Sequence, residues 1–437
     1  MKRVISAVCV LFALALLCEP PVWAQAGSAA EDLKSPDEKV RIKAARELGK
    51  SGNPSSVPAL AAAVTDSSVK VRQEVVIALT AIRAAESLDP LIAATRDEDP
   101  KIRELALDGL VGYYTGETRP TGFTGFFKRT WQQAKGRFVE EDVRIDPGIH
   151  VEPKVIAALV TTMNDPLSIE PARQAAAGLG VLLAASALPD LVKAAYSPDE
   201  ELAIQALHAL AKIRDRSAGP QLLNLLDTTN KEVKGEVAVT VGVLGTTDAL
   251  PKLRAIYTNH PDKQVRKKAL EGLAYLGNPL TADLFVQALW SSDKDLRTFG
   301  AEGMARVRDA KALTDLENAV ATEKDGGVRL AMQFALASLG KSERLGAVVE
   351  ELGSTIRGDV ARVYLTELSH DAKILPQLYP FLSNPDPTVR LRLCTVLMYT
   401  GDNSSVEHLE RLSHDKNSDV ATEALRALRA VRLRAAS

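Results

Sequence analysis

The sequence predicts an all-α protein, a right-handed α-solenoid of about twelve helical repeats with one insertion. Three observations predict it. Aromatic residues are only 5% of the 437, whereas alanine occurs 62 times. A core of small side chains and leucine suits closely packed helices better than a β-sandwich. A hydrophobic–basic pair recurs about every 31 residues. Each period also repeats one order of polar cap, apolar face, glycine and proline-led second run. The totals, 46% apolar and 25% charged, exclude a disordered or fibrous chain. A formal charge of −2 gives no sign of a nucleic-acid partner.

Residues 1–24 are expected to be a secretory signal, set apart from the fold. Lys2 and Arg3 precede an uncharged apolar run from Val4 to Cys18, which Pro20-Pro21 ends. Val22-Trp23-Ala24 then places small residues at the two positions that a signal peptidase reads before Gln25. Such a run rises about 22 Å as a helix, short of a roughly 30 Å hydrocarbon core. The competing reading is an uncleaved membrane anchor. Leu17 is too bulky to precede a lipidated Cys18. Cleavage leaves Cys394 as the sole cysteine, and one thiol closes no disulfide within the chain. Its neighbours Val389, Leu393 and Val396 mark it as a small buried hydrophobe. Residues 25–34 read as a linker and 35–437 as the solenoid.

The repeat is anchored at Val40-Arg41, Val71-Arg72 and Ile102-Arg103, and resumes at Ala172-Arg173. It continues through Leu202-Ala203, Val233-Lys234, Val265-Arg266, Leu296-Arg297, Val328-Arg329, Val360-Ala361, Val389-Arg390 and Val420-Ala421. Asp66, Asp97, Asp293, Asp325 and Asp386 precede anchors, where a side-chain oxygen caps a helix N-terminus. Apolar residues then recur about every four positions, as in Val71, Val75 and Leu79, giving one helical face. Glycine follows at Gly49, Gly245, Gly277, Gly340 and Gly401, as a left-handed helix end requires. The second run opens near Pro58, Pro189, Pro251 or Pro376, since proline fits a first helical turn. Two short helices cannot bury both apolar faces alone, so units must stack into one continuous body.

These residues resemble the HEAT-repeat family, particularly the short HEAT-like repeats of the phycobilin lyases, from about Ser35 onward apart from one break. The resemblance implies an armadillo-like superhelix. It implies little about chemistry, because the matching positions are core, caps and turns. The arginines that recur once per repeat near acidic turns are expected to form a polar ladder between adjacent turns.

Between Arg103 and Arg173 the step is 70 residues, some 39 longer than one period. Residues 99–114 read as the first helix of the third repeat and 153–164 as its delayed second helix. The insertion is therefore 113–152. Phe123, Phe126, Phe127 and Trp131 recur in it at helical spacing, with Lys128, Arg129, Lys135 and Arg137 mostly on the other face. This aromatic and basic pairing suits a partner groove or a membrane surface. The competing reading has the aromatics folded back over the solenoid, and Glu140, Glu141 and Asp142 partly neutralise the patch.

Chemistry is sparse. The six histidines form no HxH or HExxH arrangement and no CxxC occurs, so no metal or cofactor is expected. No nucleophile elbow, phosphate loop or dinucleotide fingerprint is present, so no catalytic residue is assigned. The basic C-terminal helix, with Arg426, Arg429, Arg432 and Arg434, reads as a terminal cap. The expectation is a non-enzymatic scaffold, exported to the periplasm or envelope of a bacterium or secreted. It would bind a protein or peptide partner, with no nucleic acid, through the insertion and the concave face. That face is expected to carry the second helices, with Ala59, Ala62, Ala93, Ala94, Lys193, Lys252 and Gln287. The alternative, implied by the family resemblance, is an accessory subunit of a modification enzyme.

Overall fold

The structure, a computed structural model, describes residues 29–116, 144–165 and 168–436. Among these it is all-α, with no β-strand. Two compact units emerge, residues 29–116 with 153–162 and residues 144–152 with 163–436. The sequence predicted one continuous body. The division falls in the third repeat, the one that the insertion interrupts.

In the first unit, long helices α1 (Glu38–Ser51), α3 (Val69–Ile82) and α5 (Pro100–Thr115) alternate with short α2 (Val57–Ala62) and α4 (Leu88–Ala94). Helix α6 (Pro153–Met163) is the delayed partner of α5. Helix α5 runs through Tyr113 and Tyr114, so the insertion begins later than predicted, and Tyr114 is buried. Residues 29–32, inside the stretch read as a linker, form a helical turn, and Ala29 and Leu33 are buried.

The second unit repeats the scheme. Its long helices are α7 (Ile169–Val181), α9 (Glu200–Ile213), α10 (Lys231–Val243), α12 (Lys263–Leu276), α14 (Lys294–Val307), α16 (Gly326–Ser338), α18 (Gly358–Ser369), α19 (Pro387–Thr400) and α21 (Ser418–Ala436). The short ones are α8 (Leu188–Ala195), α11 (Leu250–Asn259), α13 (Ala282–Leu289), α15 (Leu313–Thr322), α17 (Leu345–Glu350) and α20 (Val406–Leu412). Two 3-10 segments, Arg216–Asp227 and Leu375–Ser383, take the place of short helices and have Pro220 and Pro380 inside them.

Side-chain caps explain where most of the long helices begin; Ile169–Val181 and Gly358–Ser369 have none. Asp293, Asp325 and Asp386 accept from the first-turn amides as expected. Asp66 and Asp97 do not; the caps are Ser68 and Asp99, two residues on. The displaced carboxylates accept the Ser68 and Asp99 amides and an arginine instead. The helix ends show a similar shift. Gly245, Gly277 and Gly340 have positive φ, but Gly401 does not. Gly49 lies inside α1, where an added Cβ would stand 2.8 Å from the Ala78 backbone.

The anchors Val71, Ile102, Ala172, Leu202, Val233, Val265, Val328, Val389 and Val420 are buried. Val40, Leu296 and Val360 are only half-buried. Cys394 is fully buried, and burial pushes its thiol up to about 12, the environment of an inert cysteine.

Successive long helices pack along their lengths, whereas successive short helices scarcely touch. In the second unit, side chains of α14 also reach past α16 to α18: Tyr364 donates to Glu302, and Arg306 to both Glu367 oxygens at 2.9 Å. Helices two repeats apart meet only on the inside of a bend. The long helices therefore form the inner layer, which corrects the expected concave face. Lys193, Lys252 and Gln287 lie on the short helices of the outer layer; Ala59, Ala62, Ala93 and Ala94 lie on the short helices of the first unit.

One segment joins the two ends of the second unit. The Ile145 amide donates to the Val181 carbonyl of α7 at 3.0 Å. Next to it, Arg426 of α21 grips Asp146 at 2.6 and 3.1 Å. Leu433 packs on Gly148, and the Arg144 guanidinium lies 4.1 Å from the Tyr399 ring centre.

Candidate interaction surface

The residues predicted to dock a partner, Phe123, Phe126, Phe127, Lys128, Arg129, Trp131, Lys135 and Arg137, lie outside the described residues. Three other arrangements decide where a partner can bind.

The first is the arginine ladder, which the structure shows as a tie between turns. Arg41 places Nε and Nη2 on Asp66 at 2.7 and 3.0 Å, while Nη1 reaches the Ser35 carbonyl. The same fork joins Arg72 to Asp97, Arg173 to Asp199, Arg297 to Glu323 and Arg390 to Asp415. Each acid lies 25 or 26 residues on, on the turn of the next repeat. The Arg390 hydrogen bonds hold the Asp415 carboxyl below the usual carboxylate range. At the α12 rung the pattern changes: Lys267 takes Asp293 and Asp295, while Arg266 donates to the His260 carbonyl.

The second is a polar stripe inside the bend of the second unit. Glu236 on α10 meets His208 of α9 at 3.1 Å and Lys268 of α12 at 3.5 Å, and Lys268 also contacts Glu271 at 3.3 Å. Glu302 and Tyr364 continue the stripe, and the Arg306 guanidinium lies 4.5 Å from the Tyr275 ring centre. Glu271 and Glu302 are buried, whereas His208, Glu236 and Lys268 are only partly buried. Burial by itself would raise the Glu236 pKa, but Lys268 and His208 outweigh it and hold the carboxyl at about 2. Glu271 goes the other way, raised by burial that Lys268 only partly offsets.

That opposition has a pH consequence. A carboxyl depressed from 4.5 to about 2 contributes on the order of 3 kcal/mol of stability above its unfolded pKa, lost as pH falls toward 2. Glu271 acts in the opposite sense, contributing fully below its unfolded value and less as pH rises. Glu236→Gln is therefore expected to lower the urea midpoint at pH 6 and to flatten its decline between pH 4.5 and 2. Parallel urea titrations across that range check it.

The third arrangement is a pair of grooves in the second unit, each between one turn and the next repeat's short element. Trp290, just after α13, is 55% exposed above a groove of about 310 Å³ that includes Thr322, Lys324 and Met332. Its floor carries the Arg297–Glu323 pair. Tyr196 occupies the same register after α8 and is also exposed, but its hydroxyl is committed to the Gln221 carbonyl at 2.6 Å. The second groove, about 870 Å³, lies between Leu375–Ser383 and α20, over the Arg390–Asp415 pair. Inside it Tyr379 stacks on His408, with ring centres 4.1 Å apart. The short-helix periodicity gave no warning of either groove, because Leu289-Trp290 reads as a continuing apolar face.

Stacked helix pairs, a partly buried ladder and open grooves between repeats define a helical-repeat scaffold. The chain belongs to the HEAT-repeat family: HEAT repeats match residues 29–111, 152–242, 188–259, 250–337 and 347–431. The insertion falls in the gap between the first two matches. Phycocyanobilin lyase subunit alpha of Nostoc sp. is 29% identical over 164 residues, which is 33% of this chain. The chain spans 59% of that relative's own length. Among solved structures, an engineered protein aligns over 93% of this chain and 99% of its own, with 18% identity and a TM-score of 0.40. The complex of CpcE and CpcF of phycocyanin lyase from Nostoc sp. aligns over 64% of this chain and 94% of its own, with 20% identity and a TM-score of 0.37.

Proposed function

We propose that this HEAT-repeat protein is a non-enzymatic, exported scaffold of the bacterial envelope. Its second unit holds a protein or peptide partner in the outer grooves between repeats. The observation that carries this reading is Trp290, half-exposed over an open groove. An exposed indole has a large apolar area and few rotatable bonds, the properties of an interface anchor. The basic start, apolar run and small-residue site of residues 1–24 support export.

Affinity capture from envelope fractions, comparing the wild-type chain with Trp290→Ala, tests the binding. A partner recovered by wild type should fall at least tenfold with the variant, the range of an anchor residue. Equal recovery of the same proteins would overturn the groove reading. Mass spectrometry of the N-terminus tests export, which predicts a start near Gln25; an intact Met1 refutes it. A second reading, an accessory subunit of a modification enzyme, draws support from the name of the Nostoc relative. Recovery of an enzyme whose activity requires this chain would favour it.

A further inference from the structure

We propose that the larger groove, between Leu375–Ser383 and α20, takes a short acidic segment of a partner protein, clamped by Arg411 and Lys416 against the stacked Tyr379–His408 pair. The proposal rests on the scaffold reading above and adds the partner's chemistry at one groove.

Charge is the first argument. Asp415 is the carboxylate in the lining, and both its oxygens are taken by Arg390 at 2.8 Å. Arg411 and Lys416 remain. Lys416 makes no ion pair with a described acid, and its charge acts on the adjoining Asp415. Arg411 has Glu407 as its acidic neighbour, 3.8 Å away and 86% exposed, a surface pair of little energetic weight. The groove lining thus holds three cations, Arg390, Arg411 and Lys416, against the one carboxylate of Asp415. The Trp290 groove repeats the floor pair and has Lys324 in the register of Lys416.

Shape is the second argument. Pro376, Pro380 and Pro385 line the groove, and proline offers no amide to a backbone ladder. Recognition must then come from side chains. The Tyr379 hydroxyl is tied to Ser404 and Ser405 at 2.6 and 3.0 Å, which fixes its ring against His408. Burial and the neighbouring Arg411 lower the His408 pKa, so near neutral pH its ring is a stacking face and adds no charge. The matching occupant is an extended chain with carboxylates for Arg411 and Lys416 and an apolar or aromatic side chain for the stacked pair.

The test is fluorescence anisotropy of the purified full chain with fluorescein-labelled Glu-Glu-Phe-Glu-Glu, against Gln-Gln-Phe-Gln-Gln. Binding to the acidic peptide should be at least tenfold tighter and should weaken with added salt. Arg411→Glu combined with Lys416→Glu should cost at least a further tenfold while leaving circular dichroism and the melting temperature unchanged, since both side chains are on the surface. Equal binding of the two peptides, or binding unchanged in the double variant, overturns the proposal. So does binding of phosphatidylglycerol vesicles, lost in the same variant, with no peptide binding; that assigns the groove to a membrane. If the peptide fails while Trp290-dependent capture persists, this inference falls and the scaffold reading stands.

Discussion

Arg72→Ala is expected to destabilise the first unit by about 3–5 kcal/mol, the range for removing one partner of a buried ion pair. Arg72 and Asp97 are each 7% exposed in their side chains. The guanidinium makes a two-point contact with Asp97, bonds Glu98 and reaches the Asp66 carbonyl. Truncation leaves a buried carboxylate facing a void and a carbonyl without its donor. Adding Asp97→Ala should recover part of the loss, because the stranded charge goes with it. Urea unfolding of the two single variants and the double variant forms the cycle that measures this coupling. A loss below about 1 kcal/mol would mean that the rung is solvated and contributes little.

The next largest effect is expected at Gly242, where α10 and α12 touch backbone to backbone. A Cβ on Gly242 would lie 2.1 Å from the Gly272 carbonyl oxygen, and one on Gly272 would lie 2.1 Å from the Ala238 oxygen. No rotamer relieves a clash with a main chain, so Gly242→Val must separate the helices. We expect a loss of about 3 kcal/mol or more, at the upper end for overpacking. Gly346→Ala is the contrasting substitution. Its Cβ would meet only the Phe381 ring tip at 3.8 Å, and alanine favours the helix by up to about 1 kcal/mol. Thermal melts followed by circular dichroism should separate the two variants in opposite directions.

The ladder and the helix pairs were legible in the sequence because the 31-residue recurrence places the same residue type at the same turn. A charged residue repeated beside buried valines has to find a partner. Which acid it finds was not legible: Asp66 and Asp97 read as caps, and only the fold shows Ser68 and Asp99 capping while the two aspartates take the arginines. The inner layer was misassigned for a related reason. Periodicity identifies the apolar face of a helix, but curvature depends on how closely two layers pack. The signal was available in Gly49 against Ala78, Gly180 against Ala209 and Gly242 against Gly272, all on long helices. Glu236, Lys268 and Glu271 look like ordinary surface polar residues in sequence, and the bend alone turns them inward.

The segment at residues 144–148 changes how the second unit is expected to fold. A stack of repeats joined only to neighbours has low contact order; it nucleates anywhere, propagates locally and frays from its ends. Here Asp146 and Arg426 meet across 280 residues of sequence. Closing that loop directly from the unfolded chain would cost about 2 kcal/mol more entropy than closing a single repeat. The latch is therefore a late event in folding, made once the stack has carried α21 to its place. Once made, it withdraws both terminal helices of the unit from fraying, so amide protons in α7 and α21 should exchange with solvent about as slowly as those at the centre.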